Sequence, residues 1–203
     1  MDGTPRMATP ADARAVRRIY APYVEETAVT FATSVPSVET LERRLTATLE
    51  QYPWLVCERE REREREGTGG TADEREVVGY AYAGPLRQLA AYRWTAELSV
   101  YVGRAARGEG IGRRLYSALV DLLTAQGYAS VYGCVTLPNP TSVGLHEALG
   151  FERVGTFDDA GYKLGDWHDV GWWRRRLPDP AAPDDPRPVG SLPAERVRDV
   201  LTS

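Results

Sequence analysis

The chain has 203 residues, a formal net charge of −4 and 42% apolar residues. That length suits one domain with appendages and can bury a core without disulfides or metal. The apolar residues are too interrupted for a membrane span, the acidic pI near 5.4 argues against a nucleic-acid-binding surface, and the N-terminus lacks the apolar segment of a secretory signal.

The first part of the chain predicts two helices. Residues 9–12, Thr-Pro-Ala-Asp, supply an N-cap, a proline at the first helical position and an acid at the third, which predicts a helix that runs to about Glu25. Ser37 is the cap of a second helix that ends before Pro53. The apolar face of this second helix contains Leu41, Leu45 and Leu49.

A charged insert separates two predicted strands. Trp54–Cys57 and Val77–Ala83 are apolar runs that favour an antiparallel hairpin. Between them, at about 58–76, Glu and Arg alternate and then give way to a glycine-rich stretch. Like charges four residues apart disfavour a helix, so we expect a solvated hairpin tip or loop.

The second part of the chain alternates strands and helices. Thr95–Val102, Tyr128–Val135 and Trp167–Arg174 predict strands, and Ile111–Gln126 and Thr141–Leu149 predict helices that end at glycines. This order predicts a mixed α/β (α+β) sheet flanked by helices.

One domain, residues 1–176, accounts for these elements. The remaining residues, 177–203, contain six of the fourteen prolines. Such a composition predicts a mostly disordered tail, with a short helix near Pro193–Leu201.

A glycine-rich turn between a strand and a helix is the most informative motif. Residues 107–112 read Arg-Gly-Glu-Gly-Ile-Gly and open the helix Ile111–Gln126. Glycines allow close backbone approach, and the free N–H groups and dipole of a helix N-terminus favour an anion. No Lys-Ser/Thr follows the glycines, so the motif is not a Walker loop. The alternative is an ordinary strand-to-helix loop with solubilising arginines.

The pattern Arg107-x-x-Gly110-x-Gly112 after a strand resembles the pyrophosphate loop of the GNAT N-acetyltransferase superfamily. Three downstream strings resemble its next block: Asn139-Pro140-Thr141-Ser142, Leu145-His146 and Leu149-Gly150-Phe151. Other strings are similar to phosphinothricin N-acetyltransferases: Tyr52-Pro53-Trp54-Leu55-Val56, Tyr82-Ala83-Gly84-Pro85, Tyr92-x-Trp94-Thr95-Ala96-Glu97, His146-Glu147-Ala148-Leu149-Gly150 and Trp167-His168-Asp169-Val170-Gly171. The resemblance covers about Ala8 to Arg175 and implies a twisted, mostly antiparallel mixed sheet flanked by helices.

The resemblance implies an acyltransferase of EC class 2.3.1 that moves the acetyl group of acetyl-CoA to an amine. An amine is mostly protonated at neutral pH, so a general base is useful, and Glu97 matches the family's catalytic glutamate. His146 stands where many members carry a tyrosine that protonates the leaving thiolate, which an imidazole can also do. The alternatives are a solvated strand-edge glutamate and a histidine that makes one structural hydrogen bond.

The same resemblance implies where acetyl-CoA binds. Backbone groups of one strand would pair with the pantetheine arm, the glycine turn would hold the diphosphate, and a polar pair would reach the pantetheine or thiol end. The residues concerned are Val100, Tyr101 and Val102 for the strand, Arg107, Gly108, Glu109, Gly110, Ile111, Gly112 and Arg113 for the turn, and Asn139 and Ser142 for the polar pair. Asn139 alternatively serves only as a turn residue before Pro140.

Acceptor binding is implied for the stretch 85–92. Relatives place two basic residues there, two apart, which suits carboxylate and phosphinate groups. This chain has Arg87 and Tyr92 but Leu89 at the second basic position, so either one anchor is absent or Arg93 replaces it. We expect a small amino-acid-like amine of the phosphinothricin or methionine sulfoximine type. The alternatives are a protein or peptide amine and an inert acyl-CoA-binding homologue.

Other residue types bear on metals and partners. Cys57 and Cys134 lie far apart in apolar runs, which favours free buried thiols in a reducing, cytoplasmic compartment. With two histidines and no Cys/His spacing, we expect no metal site. The only lysine among 25 basic residues is Lys163, which by itself indicates no chemistry. Relatives are commonly homodimers, and Trp172 and Trp173 could supply the interface or be core.

Overall fold

The computed structural model describes residues 3–60, 75–178 and 184–202. The strands in these ranges are β1 (Thr4–Met7), β2 (Trp54–Glu60), β3 (Arg75–Pro85), β4 (Thr95–Val102), β5 (Ser130–Thr136), β6 (Glu152–Lys163) and β7 (Asp166–Arg176). The helices are α1 (Ala13–Glu26), α2 (Val38–Leu49), α3 (Ile111–Gln126), α4 (Pro140–Ala148) and α5 (Ala194–Thr202).

The strands form one sheet in the order β1-β2-β3-β4-β5-β7-β6. Neighbouring strands are antiparallel except β4 and β5, which run parallel. This confirms the predicted mixed, mostly antiparallel sheet flanked by helices. The parallel pair lies in the middle of the sheet, between two antiparallel halves.

Local signals position the first two helices as predicted. The Thr9 N–H donates to the Asp12 carboxylate at 2.8 Å, and a short 3₁₀ turn at Pro10–Asp12 leads into α1. The Ser37 hydroxyl accepts from the Thr40 N–H at 3.2 Å and caps α2. Both caps satisfy N–H groups that have no partner inside the helix.

Other boundaries differ from the predictions. The strand predicted from Tyr128 begins at residue 130, and the helix predicted from Thr141 begins at Pro140, which is compatible with a first helical position. The short edge strand β1, with a proline, and the long strand β6 were not predicted. β6 contains glycines, adjacent aspartates and two register shifts, so it has no alternating apolar pattern, and its pairing with β7 maintains it.

The helices cover the two faces of the sheet with separate apolar layers. Leucines of α3 pack with inward side chains of β4 and β5 on one face. On the other face, α1 and α2 pack on a group of aromatic residues from β2, β3 and β4. In β4, Ala96 and Leu98 belong to the α3 layer, so by alternation Glu97, Ser99 and Tyr101 face the α1 and α2 side.

The prediction of a mostly disordered tail is wrong for residues 184–202, whereas the predicted short helix is confirmed as α5. Val189, Leu192 and Val200 are buried in the α3 layer. The buried amide of Gln126 donates to the carbonyls of Gln51 and Arg187, both at 2.7 Å. Prolines lack N–H donors but keep their carbonyls, so a proline-rich segment can accept hydrogen bonds from amide side chains. The packed unit therefore extends beyond the predicted boundary at residue 176.

The predicted hairpin around the charged insert is confirmed at its base. β2 and β3 stay paired out to Glu60 and Arg75, with Arg59 opposite Glu76. The centre of the Glu/Arg insert, residues 61–74, and residues 179–183 of the predicted tail lie outside the described residues.

Candidate active site

A gap opens in the middle of the sheet where β4 leaves β5. The parallel pairing ends at Leu98 and Gly133, although β4 continues to Val102. The Gly103 N–H donates to the Val78 carbonyl at 2.8 Å, which fixes the alternation of the antiparallel ladder. Peptide groups of residues 99 and 101 therefore point to β3, and those of Val100 and Val102 point into the gap. An extended ligand can pair with this edge as an added strand.

Tyr23, which the sequence analysis missed, holds the far end of this edge. Its hydroxyl donates to the Val102 carbonyl at 2.7 Å and accepts from the Val102 N–H at 3.3 Å. The Arg107 guanidinium lies 5.0 Å from the centre of the Tyr23 ring. The side chain of Tyr101 packs edge-on against the same ring, with the centroids 5.1 Å apart. A tyrosine inside a helical pattern gives no local signal of such a long-range contact.

The glycine turn lies at the mouth of the gap. Gly108 and Gly110 have φ of +83° and +79°, a region that favours glycine, and α3 starts at Ile111. A Cβ on Gly112 would lie 3.6 Å from Cγ2 of Val102, so the first turn of α3 packs on the end of β4. The Glu109 carboxylate pairs with Arg59 at 3.3 Å. The N–H groups of residues 111–113 have no partner inside α3 and form an anion-binding helix terminus.

Asn139 and Ser142 form the N-terminal cap of α4. The Asn139 Oδ1 accepts from the Ser142 N–H at 3.1 Å. The alternative of a turn residue before Pro140 is therefore correct in that Asn139 has a local role. Its amide NH₂ group is not needed for this cap and can still donate to a ligand.

Glu97 lies on β4 just before the gap, half-buried on the α1 and α2 face. It is opposite Gly84 on β3 and Tyr132 on β5. Burial raises the pKa of Glu97, and the positive charge of Arg87 partly opposes the rise. A carboxylate with a raised pKa in a cleft is suited to accept a proton.

The two thiols are free, as predicted, but they are not both buried. Cys57 is buried, whereas Cys134 is exposed on the Glu97 side of β5. Side chains of β5 alternate between the two faces of the sheet. Val131, Gly133 and Val135 face the core, so Cys134 faces the other side although its sequence neighbours are apolar.

His146 lies in the core rather than on the wall of a cleft, with 3% of its surface exposed. Its Nδ1 lies 2.7 Å from the Ser142 carbonyl, which can only accept, so Nδ1 carries a proton. Burial lowers the pKa of His146, which favours the neutral ring. Its Nε2 then accepts from the Tyr116 hydroxyl, 2.8 Å away. Both ring nitrogens are engaged, so His146 makes more than the one structural bond of the alternative interpretation.

Tyr116 is a second residue that the sequence analysis missed. It is fully buried on α3, and its hydroxyl lies 3.5 Å from the Leu98 carbonyl, at the apex of the gap. Burial first, and then the charge of Glu97, raise the pKa of Tyr116, which keeps the phenol protonated. The spacing of apolar residues in α3 indicates a buried face but does not distinguish Tyr116 from the other residues of that helix.

The predicted acceptor residues lie in the loop between β3 and β4. Arg87 is exposed, and its guanidinium lies 5.9 Å from the ring centre of half-buried Trp172. Tyr92 and Leu89 are exposed in the same loop. Arg93, the suggested replacement for a second anchor, instead pairs with Asp185 at 2.8 Å, so the C-terminal segment holds it away from this role.

Across 3–60, 75–178 and 184–202, His, Cys, Asp and Glu side chains nowhere form a group of three or more that could hold a metal ion. Within the same ranges, each helix is too short or too polar to cross a membrane.

Comparisons with known proteins agree with this geometry. The family profile of the acetyltransferase (GNAT) domain matches residues 6–172. A phosphinothricin N-acetyltransferase of Streptomyces viridochromogenes is 42% identical over 187 residues, which cover 92% of this chain and 94% of that protein.

Two solved structures share the fold at appreciable identity. A phosphinothricin acetyltransferase from Sinorhizobium meliloti, in complex with acetyl-CoA, has a TM-score of 0.79 and 34% identity over 91% of this chain and 95% of that one. A ribosomal-protein-alanine N-acetyltransferase from Brucella melitensis has a TM-score of 0.74 and 33% identity, with coverage of 85% and 99%. Together with the gap, the glycine turn and the family profile, these similarities show that the protein belongs to the GNAT superfamily of N-acetyltransferases.

Proposed function

We propose that the protein transfers the acetyl group of acetyl-CoA to the primary amine of a small amino-acid-like acceptor, of the phosphinothricin or methionine sulfoximine type. The observation that carries this proposal is the position of Glu97, a half-buried carboxylate beside the gap between β4 and β5 with Arg87 next to it. The similarity to phosphinothricin N-acetyltransferases supports the acceptor class.

The residues around the gap fit acetyl-CoA. The pantetheine arm would pair with the peptide groups of Val100, and pairing at Val102 would require the ligand to displace the Tyr23 hydroxyl, which bonds both peptide groups of that residue. The diphosphate would accept from the N–H groups at the start of α3. The positive φ of Gly108 and Gly110 lets the backbone approach the phosphates, and Asn139 would donate its amide to the pantetheine or thiol end. A phosphinothricin acetyltransferase from Sinorhizobium meliloti that shares this fold binds acetyl-CoA, which supports a cofactor of this kind.

The chemistry is direct transfer. The neutral amine attacks the thioester carbon, a C–N bond forms, the C–S bond breaks and CoA leaves as a thiolate. Glu97 takes the proton that the attacking nitrogen releases, directly or through one water. A backbone N–H at the edge of the gap stabilises the negative charge that develops on the thioester oxygen.

A proton must then reach the thiolate. We assign its delivery to the Tyr116 hydroxyl, which lies 3.5 Å from the Leu98 carbonyl at the apex of the gap. His146 takes part as the imidazolium, after taking up a proton from solvent: its Nε2–H bond breaks as Tyr116 accepts that proton and gives its own to the thiolate, which leaves the neutral ring with its proton on Nδ1. Glu97 lies on the opposite face of the sheet, so base and acid would approach the thioester from two sides.

Arg87 is the proposed anchor for the acceptor's carboxylate or phosphinate group. Its guanidinium is exposed, lies 5.9 Å from the ring centre of Trp172, and carries a charge that opposes the burial-driven rise in the pKa of Glu97. With Leu89 at the second basic position and Arg93 paired with Asp185, Arg87 provides the anion contact in this loop, and Tyr92 adds a hydroxyl.

Steady-state kinetics test the proposal. Acetyl-CoA consumption is measured with phosphinothricin, methionine sulfoximine and a panel of free amino acids, and we expect turnover of at least one tetrahedral phosphinate or sulfoximine. Turnover of none of these amines would overturn the acceptor class. Thermal stabilisation by acetyl-CoA but not by ATP is expected in parallel, and its absence would overturn the assignment of the gap as the cofactor site.

A second candidate acceptor is the terminal amine of a protein. The structural similarity to a ribosomal-protein-alanine N-acetyltransferase is the observation that favours it. Peptides with an N-terminal alanine separate the two candidates: a kcat/KM for such a peptide well above that for every free amino acid would favour the protein acceptor.

We also propose that the protein forms a homodimer through the tip of the β6–β7 hairpin. Trp172 and Trp173, the residues suggested from sequence, are half-buried and buried, so they do not form this surface. The tip instead exposes Tyr162, Leu164 and Trp167, each 59–62% accessible, and Phe157 is 57% accessible farther along β6. The rings of Tyr162 and Trp167 lie 5.4 Å apart. Exposed apolar side chains grouped at one hairpin tip favour an interface with a second copy.

Light scattering after size-exclusion chromatography tests the dimer. We expect twice the mass of the chain for the wild type and a shift toward the monomer for Trp167→Ser. Leu89→Ser, which removes an exposed leucine far along the chain, should leave the mass unchanged. A monomeric wild type would overturn this proposal.

A further inference from the structure

Lys163 is the only lysine of a chain with 25 basic residues, and it lies in an unusual place. It ends β6, and the tight turn that follows contains Leu164 and Gly165, both with positive φ, of 54° and 91°. Only 7% of its surface is exposed. All the other basic residues of the chain are arginines. Lys163 carries its long, cationic side chain into the interior.

The ammonium group of Lys163 reaches across the fold to the loop between α1 and α2. Its Nζ donates to the carbonyl of Thr30 at 2.7 Å. Burial lowers the pKa of Lys163, as expected for a cation whose recorded contact is a neutral carbonyl. An ammonium is a compact donor, whereas a guanidinium is a broad plane with five N–H groups, so arginine does not fit the same contact.

Two further contacts join the same loop to the β6–β7 hairpin. Phe31 covers Gly161 so closely that a Cβ at residue 161 would overlap its ring. The rings of Phe31 and His168 lie 6.3 Å apart, and the Nε2 of His168 donates to the Lys163 carbonyl at 2.9 Å. Thr30 and Phe31 are therefore held from one side by the hairpin.

From the other side, Thr30 joins a group of hydroxyls on the Glu97 face of the sheet. The Tyr20 hydroxyl lies 2.8 Å from the Thr30 Oγ1, and the Tyr20 ring packs on Tyr101 at 5.1 Å between centroids. Tyr101 stacks on Tyr80 at 5.2 Å between centroids, and the next ring of this surface, Tyr82, lies on β3 opposite Ser99, two residues beyond Glu97 on β4. Thr30 is thus the point at which the hairpin, through Lys163, meets the aromatic surface that continues to the proposed base.

We propose that Lys163 is a positioning residue for the acceptor site: its ammonium group fixes Thr30 and so holds the loop between α1 and α2 against the hairpin as a wall beside the Glu97 face. This inference rests on the proposed function, because that face is the side from which the acceptor amine approaches.

The first experiment measures order in the loop without using activity. Amide hydrogen exchange of residues 27–36 is followed in the wild type, in Lys163→Met and in Lys163→Arg, with Arg176→Met at the exposed end of β7 as the matched control. We expect about tenfold faster exchange in both Lys163 variants and wild-type exchange in the control. Unchanged exchange in Lys163→Met overturns the proposal.

The second experiment separates positioning from general loss of structure. With an acceptor that the wild type turns over, Lys163→Met and Lys163→Arg should raise the acceptor KM at least about fivefold and leave the KM of acetyl-CoA within about twofold. Phe31→Ala, which removes another contact of the same loop, should show the same pattern. A parallel rise of both KM values, or full rescue by arginine, overturns the proposal. If the wild type acetylates no acceptor, the proposed function fails, and loop exchange alone decides the role of Lys163.

Discussion

The imidazole of His146 occupies the space in which a side chain at residue 133 would lie. Gly133 is the last β5 residue that pairs with β4, and a Cβ built on it would overlap the Nε2 of His146. The missing side chain lets the ring pack against β5 between Phe151 and Trp173 and meet the Tyr116 hydroxyl. A glycine in mid-strand here serves close packing rather than an unusual backbone conformation.

Gly133→Ala should therefore destabilise the protein and displace His146. We expect the free energy of unfolding, measured in urea, to fall by about 1–3 kcal/mol because the core becomes overpacked. Gly144→Ala is the matched control: a Cβ there meets open space in α4, and replacing a helical glycine should raise the free energy of unfolding by about 0.5–1 kcal/mol. Equal effects of the two variants would contradict this account of the packing.

Glu97→Gln should remove the base and keep the cofactor site. We expect kcat to fall by about 10²–10⁴-fold, because general base catalysis contributes that much, with acetyl-CoA affinity unchanged. Stopped-flow or coupled assays measure the rate, and calorimetry measures the affinity. An unchanged rate would contradict the assignment of Glu97.

The positive charge of Arg87 should affect the pH dependence of kcat/KM. Burial raises the pKa of Glu97 and Arg87 opposes this, so the reactive carboxylate is lost as the pH falls through a value above the ordinary 4.5. Arg87→Gln removes the opposing charge, and the acid limb of kcat/KM should move to higher pH. A limb that stays in place would mean that Arg87 does not influence the base.

Asp12 should link stability to acid pH. Burial opposes its ionisation, but hydrogen bonds from Arg6 and Thr9 outweigh burial and lower the pKa of Asp12. The stabilisation is present above the ordinary carboxyl pKa and is lost as the pH falls through the lowered value. Asp12→Asn should cost about 1–3 kcal/mol at pH 7, since buried donors lose an ionic partner. Urea unfolding from pH 7 to pH 3 should show the two proteins converging at the acid end.

The C-terminal segment should contribute to global stability. Leu192→Ala removes a buried side chain from the α3 layer and should lower the free energy of unfolding by about 2–5 kcal/mol. Arg198→Ala, at an exposed position in the following helix, should change it by less than about 0.5 kcal/mol. If the two substitutions have equal effects in denaturant titrations, the segment is not part of the core.

Much of the central architecture was determined by local sequence. The strand Thr95–Val102 and the helix Ile111–Gln126 have the predicted bounds, because an alternating run, a leucine period and Gly127 at the helix end are signals within a few residues. The glycine turn and the position of Glu97 on β4 follow from the same stretch. The strand β6 could not be found in this way, because only its pairing with β7 maintains it.

The tertiary structure decided what these elements meet. The contacts of Lys163 with Thr30, of Tyr23 with Val102 and of Gln126 with Arg187 join residues that are 133, 79 and 61 positions apart. The Tyr116–His146 pair likewise depends on the missing side chain of Gly133 on another strand. Local propensity and periodicity state which face of an element is buried, but not which side chain lies opposite. Local motifs therefore identify the family and the glycine turn that suits a phosphate, whereas long-range packing sets the partners of His146, of Lys163 and of the C-terminal segment.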